Sequence, residues 1–210
     1  MSLALADVAL RVGSRWLLRD FSLAVDPGEV VTVMGPSGVG KSSLLAWVCG
    51  NLAPGIAATG HVRLDGVEVG ALAAHRRRIG ILFQDDLLFP HMSVGDNLLF
   101  GLHPSVRGRV ARREAVAAAL AEAELEGMAS RDPSSLSGGQ RARVALMRVL
   151  LSRPRALLLD EPFGRLDAAL RERFRAMVFD TARARHLPVL LVTHDRRDAA
   201  GRVVILEGVG

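Results

Sequence analysis

The sequence predicts an α/β protein with a mostly parallel sheet, an antiparallel β subdomain at its N-terminus and an all-helical insertion. Three observations predict it. Short apolar runs alternate with helical stretches over both ends of the 210-residue chain, the pattern of a parallel sheet covered by helices. A series of strand-like segments with turn signals comes first. Between about 85 and 140 the composition shifts to Ala, Glu and Leu at helical spacing, and no strand candidate occurs.

Taken in order, "LALADVAL", "FSLAV" (Phe21 to Val25) and "VVTVM" (Val30 to Met34) read as strands, the last two joined by the turn "DPGE". "KSSLLAWVCG" reads as a helix ending near Gly50. "HVRLDGVEV" is a hairpin whose tight turn is Asp65-Gly66. "IGILF" (Ile79 to Phe83) is a further buried strand. "VGDNLLFGL" and "RREAVAAALAEAEL" are helices of the insertion. The alternation then returns, with a helix from Arg141 to Leu151, the strand "ALLLD", a helix from Ala168 to about Arg185, and the strands "VLLVT" and "RVVIL". The expected organisation is one domain over 1–210, its α/β core built from about 1–84 and 141–210, with 85–140 as the helical subdomain.

Composition narrows the function. Half of the residues are apolar and 23% are charged, which excludes disordered and fibrous classes. The formal net charge is +5, but the basic residues are spread along the chain. With 4% aromatics and no tyrosine, base-stacking platforms are absent and no nucleic-acid partner is expected. No apolar run reaches bilayer length, and "MSLALADVAL" lacks a basic start and a cleavage site, so a cytosolic chain is expected. Cys49 is the only cysteine and reads as helix packing. Lys41 is the only lysine; every other Lys/Arg position is arginine.

That lysine lies in "GPSGVGKS", which matches G-x-x-x-x-G-K-[ST] between a strand and a helix. The expected phosphate-binding residues are Gly35, Pro36, Ser37, Gly38, Val39, Gly40, Lys41, Ser42 and the following Ser43. Glycines turn backbone N–H groups onto phosphate oxygens at a helix N-terminus. Lys41 reaches the β- and γ-phosphates, and the Ser42 hydroxyl reaches Mg²⁺. In "ALLLDE", Asp160 ends an apolar strand and is the second candidate Mg²⁺ residue, while Glu161 is the candidate general base. His194 ends the strand of "LLVTHD" on the same sheet edge and is the candidate γ-phosphate contact. Gln84, where the insertion opens, can contact the metal or the attacking water, or act as a hinge. "LSGGQ" (Leu136 to Gln140) puts a second glycine pair at a helix N-terminus, a second anion site in a chain that already has one.

In this order "GPSGVGKS", Gln84, "LSGGQ", "ALLLDE", "FGRLD" and "VTHD" resemble the nucleotide-binding subunit of ABC transporters over essentially the whole chain. The resemblance implies a P-loop NTPase core that binds ATP and Mg²⁺. It implies a head-to-tail homodimer with two sandwiched ATPs, in which Ser137, Gly138, Gly139 and Gln140 bind the γ-phosphate held by the other subunit. Asp167 of "FGRLD" joins the nucleotide-binding set. "FQDDLLFPHMSVGDNLLFGL" (Phe83 to Leu102) is similar to the importer branch serving thiamine, iron, sulfate, molybdate or polyamine uptake. It implies docking near Gln84 to Leu102 of a permease's coupling helix, on Leu87, Leu88, Phe89, Pro90 and Met92. An extracytoplasmic solute-binding protein and a peripheral position on the cytoplasmic face of the inner membrane follow from the same resemblance.

Departures from the family pattern are Val12, where an aromatic residue usually stacks on adenine, and Arg165, where a small residue is common. Stacking is then weak, supplied by Trp16, or replaced by apolar contact. No β-rich regulatory domain is expected after "RVVILEG". An exporter ATPase is the alternative, as is a non-transport ABC ATPase. The interval from Lys41 to Ser137 is too short for the coiled coil of chromosome-maintenance ATPases, and a single cassette argues against the translation type.

Overall fold

The computed structural model describes residues 1–207, and the chain forms two compact units. The first comprises Met1–Ile81, Arg155–Glu161 and the chain from Phe179 onward; the second comprises Leu82–Pro154 and Pro162–Val178. Among the described residues no helix is long and apolar enough to cross a membrane.

Two sheets build the first unit. Strands β1 (Leu3–Val12), β2 (Arg15–Val25), β4 (Ile56–Leu64) and β5 (Val67–Glu68) form an antiparallel sheet in the order β2-β1-β4-β5. Strands β3 (Val30–Met34), β6 (Ile79–Leu82), β7 (Ala156–Asp160), β8 (Val189–Thr193) and β9 (Arg202–Ile205) form the other, in the order β6-β7-β8-β3-β9. β3 pairs parallel with β8 and β9, and β7 pairs parallel with β8. Leu157 to Leu159 and Leu190 to Val192 are fully buried. That explains their unbroken apolar runs, since a parallel sheet is covered on both faces. The expected fold class is the observed one.

β2 starts at Arg15 rather than Phe21, and bulges hide its first half. The β1–β2 ladder shifts register between Leu5 and Val8, Val8 and Leu10, and Leu10 and Arg11. Asp7 and Asp20 take left-handed φ values of 53° and 51° at the first two shifts. At the third, Leu10 faces Leu18 while Arg11 faces Trp16, leaving Leu17 as the extra residue. Each bulge breaks the alternation by which a strand is read, and re-aims a side chain. The Asp65-Gly66 turn is as expected, with φ of 49° and 78° between paired Leu64 and Val67.

Helix α1 (Lys41–Cys49) ends on Gly50 in the left-handed conformation. Its last carbonyls are claimed by Arg77, at the end of the short helix α2 (Ala74–Arg77). Only 8% exposed, Arg77 donates to Trp47 O (2.8 Å), Val48 O (2.9 Å) and Leu72 O (2.8 Å). Burial pulls its guanidinium below the usual range. Arg77→Ala removes the side-chain donor to Val48 O and Leu72 O and leaves Trp47 O only the Gly50 N–H, and should destabilise the chain by about 3 kcal/mol. Thermal unfolding should show this as a fall in Tm of roughly 6–12 °C.

The second unit contains α3 (Val94–Gly101), α4 (Arg109–Glu122), α5 (Gly138–Leu151) and the first part of α6 (Ala168–Ala184). α5 begins three residues before the expected Arg141, because Ser137 caps it. It packs on α3 so closely that a Cβ on Gly101 would lie 2.3 Å from Arg148 O. The fully buried Asn97 of α3 ties down the loop before it. Its Oδ1 accepts from Phe89 N at 2.8 Å, and its Nδ2 donates to Phe89 O and Met92 O. Arg148 of α5 donates to Leu87 O (2.9 Å) and Asp86 O (3.2 Å). Two helices thus hold one irregular loop, the stretch expected to dock.

Candidate functional site

In the first unit, three parallel strands deliver chemistry to one edge. β7, β8 and β3 are successive neighbours, and at their C-terminal ends stand Asp160 with Glu161, His194, and the loop from Gly35. Such an edge is where α/β sheets bind ligands. Gly38 and Gly40 take φ of 80° and 103°, which turns the loop around the start of α1. Gly40 is the N-cap of that helix and supplies no side-chain cap, so the first-turn N–H groups stay available to an anion.

Lys41 is 6% exposed, and its ammonium donates to Gly35 O at 2.8 Å and Pro36 O at 2.9 Å. The loop is therefore folded around its own lysine. Ser42 Oγ donates to Asp160 Oδ1 at 2.9 Å. Burial pushes the Asp160 carboxyl up; the Ser42 hydrogen bond opposes this, and the adjacent Glu161 charge adds to it. Glu161 has a left-handed φ of 47° and donates its N–H to Val192 O (3.0 Å). Its Oε1 lies 2.9 Å from His194 Nδ1. A cavity of about 220 Å³ is lined by Leu17, Ser37, Gly38, Gly40, Lys41, Ser42, Ser43 and Glu161. A basic, amide-rich cradle adjoins a carboxylate that lies within hydrogen-bond distance of an imidazole. That arrangement can hold a phosphate chain and accept a proton from water.

Leu17 was not expected there. A Cβ on Gly40 would lie 3.0 Å from Leu17 Cβ, so the bulge of β2 seats this leucine against the phosphate loop. Val12, at the end of β1, is 45% exposed. The guanidinium of Arg19 stacks over Trp16 at 4.6 Å.

Gln84, Ser137 to Gln140 and Asp167 belong to the second unit. Gln84 is exposed beyond β6. Ser137 caps α5 reciprocally: its side chain accepts from Gln140 N (3.3 Å), and Gln140 Oε1 accepts from Ser137 N (2.9 Å). Gly139 is buried, and a Cβ there would lie 3.2 Å from Leu170 Cδ2. Gly138 is exposed, and its Cβ would meet nothing nearer than Arg141 Nη2 at 3.9 Å. Asp167 caps α6, its Oδ1 accepting from Leu170 N at 3.0 Å. Arg165 is ion-paired with Asp85, the residue after Gln84. The S-x-x-Q spacing of Ser137 and Gln140 could have shown that both side chains serve the helix.

The ABC transporter family matches residues 18–164. The uncharacterized ABC transporter ATP-binding protein YnjD of Escherichia coli (strain K12) is 50% identical over 205 residues, covering 98% of this chain and 94% of its own. The Fe(3+) ions import ATP-binding protein FbpC of Streptomyces coelicolor is 44% identical over 98% of this chain, which spans 59% of that relative's length. The thiamine import ATP-binding protein ThiQ of Shigella flexneri is 41% identical over 90% of this chain and 82% of its own. Among solved structures, the dimeric ATP-binding cassette MJ0796, in a post-hydrolysis state bound to ADP and Pi, matches with a TM-score of 0.81. Its identity is 30%, with 98% of this chain and 94% of that chain covered. With a family match over most of its length and relatives of this identity, the chain belongs to the ABC transporter family as an ATP-binding, ATP-hydrolysing subunit.

Proposed function

We propose that this subunit dimerises head-to-tail on ATP and drives a membrane permease in the uptake of a small solute or ion. The observation that carries the proposal is Gly138. It is exposed at the start of a capped helix, and nothing in its own unit needs it to be glycine. An exposed glycine at a helix N-terminus leaves backbone N–H groups approachable from outside, and a phosphate on a second copy fits that need. The capping box takes up the side chains of Ser137 and Gln140, so the second copy's phosphate meets the helix N-terminus itself. The dimeric neighbour with ADP and Pi supports the same assembly.

Within one subunit the loop from Gly35 to Ser43 binds the phosphates, and Lys41 exchanges its carbonyl partners for phosphate oxygens. The Ser42 hydroxyl and Asp160 carboxylate are paired oxygen donors, the ligand type of Mg²⁺. They would hold that ion, whose chemistry when bound is neutralising charge on the transferring phosphoryl group. Glu161 accepts the proton of the attacking water, and His194 steadies the γ-phosphate. Gln84 completes the water and metal positions, and Asp167 contributes as the cap of α6. Leu17 and Val12 offer apolar contact to the base.

Permease docking is supported by the loop ahead of α3. Leu87 is 53% and Phe100 66% exposed, and Phe89 meets Phe100 edge to face at 4.8 Å between ring centroids. Asn97 and Arg148 hold the backbone of this loop through hydrogen bonds to Phe89, Met92, Leu87 and Asp86. Relatives named for Fe(3+) and thiamine import favour uptake over export. The subunit would then lie peripherally on the cytoplasmic face of the cell membrane, with a solute-binding protein outside. In this reading the chain is one ATPase domain over 1–210, with an α/β core of about 1–84 and 141–210 and a helical subdomain of about 85–140 that carries the signature. Light scattering on purified Glu161→Gln tests the assembly. A shift from monomer to dimer on adding ATP is expected; a persistent monomer with ATP bound would end the homodimer proposal.

A further inference from the structure

The sheet core that feeds the phosphate loop contains one polar residue on β3, Thr32, which is fully buried between Val31 and Val33. A hydroxyl in such a place costs free energy unless it is hydrogen-bonded. Both of its partners belong to one residue: Thr32 Oγ1 donates to Ala200 O at 2.6 Å, and Ala200 N donates to Thr32 Oγ1 at 3.0 Å. Ala200 ends the segment that leaves β8 through His194. At the other end of that segment, the buried Thr193 accepts from Asp195 N at 3.0 Å. Between these points the backbone closes on itself, with Asp198 N on Asp195 O and Ala199 N on Arg196 O. Gly201 then turns with φ 64°, and a Cβ there would lie 1.9 Å from Val30 O. The loop carrying His194 is thus pinned at both ends by threonine hydroxyls, and the far pin stands on β3, three residues before Gly35.

We propose that Thr32 is a positioning residue for the hydrolytic site. Its hydroxyl fixes the segment from Asp195 to Ala200 against the strand that carries the phosphate loop, and so holds His194 within reach of Glu161 and of the terminal phosphate. The proposal rests on the reading of His194 given above. An apolar residue would pack in the same volume among the valines, and what it could not do is tie both backbone groups of Ala200. A loop that returns to a fixed point beside the phosphate loop keeps the imidazole in register with it. Small misplacements of such a group are costly to rate.

Steady-state ATPase measurements on Thr32→Val, Thr32→Ser, His194→Ala and the Thr32→Val/His194→Ala double variant test this. Thr32→Val should lower kcat about tenfold with KM within about twofold. Thr32→Ser, which keeps the hydroxyl, should restore kcat to within about twofold of wild type. The double variant should be no slower than His194→Ala, because the anchor acts through the histidine. Wild-type kcat in folded Thr32→Val, failure of serine to rescue, or losses that multiply in the double variant would each overturn the proposal. Wild-type turnover by His194→Ala would instead remove the reading of His194. Should Thr32→Val not fold, amide exchange in the wild-type protein decides. The Ala200 N–H should exchange as slowly as the β3 amides, and rapid exchange would refute the anchor.

Discussion

Glu161→Gln is expected to lower ATP turnover at saturating nucleotide by about 10²–10⁴, the scale of a positioned general base. The substitution is nearly isosteric, and the backbone features that hold position 161 do not involve the carboxylate. The N–H still reaches Val192 O, and the left-handed φ of 47° is set by the strand end. An amide can still meet His194 Nδ1 but has no basic oxygen to take a proton from water. Nucleotide affinity should hold, because the loop from Gly35 to Ser43 is untouched. Phosphate release measured beside a binding titration separates the two quantities. Comparable hydrolysis by the variant would remove Glu161 from the proton-accepting role.

Lys41→Ala should act on the other quantity. In the structure the ammonium makes two charge-assisted hydrogen bonds to Gly35 O and Pro36 O, and in the proposed site those donors turn to phosphate oxygens on binding. Removing them should weaken ATP binding by about a hundredfold, equivalent to about 3 kcal/mol. The loop also loses the tether that keeps it folded around its centre, so the loss should appear even with ATP alone. Arginine should not rescue, since a planar fork cannot occupy the place of a compact ammonium inside so tight a loop. Isothermal titration reads the effect directly, and unchanged affinity would contradict the phosphate-loop assignment.

How much of this was legible varies with the physics involved. β7 and β8 are buried on both faces, so their sequences are apolar throughout and their ends announce Asp160 and His194. The phosphate loop is legible because its backbone demands glycine at Gly38 and Gly40 and its chemistry demands a lysine. β2 was only half legible, because bulges at Asp20 and Leu17 scramble the alternation of the strand. The same bulge hid Leu17 as a site residue. The glycine pair marks a helix N-terminus, and the capping box draws both glycines into the first turn of α5, ahead of Arg141, by outweighing the helix penalty of glycine. Thr32 gave no signal: a threonine in a valine-rich strand is ordinary, and its partner Ala200 lies 168 residues away.

The burial of Lys41 has a consequence for covalent labelling. The chain has a single lysine, and in the folded state that amine is 6% exposed with two of its hydrogens committed to carbonyls. An acylating reagent therefore meets a single lysine amine along this sequence, and the fold conceals it. Acylation of Lys41 should follow only when the loop opens, and ATP should delay it further. Mass spectrometry of the intact chain would count these states directly, so the arginine-rich composition makes the protein a reporter of its own nucleotide site.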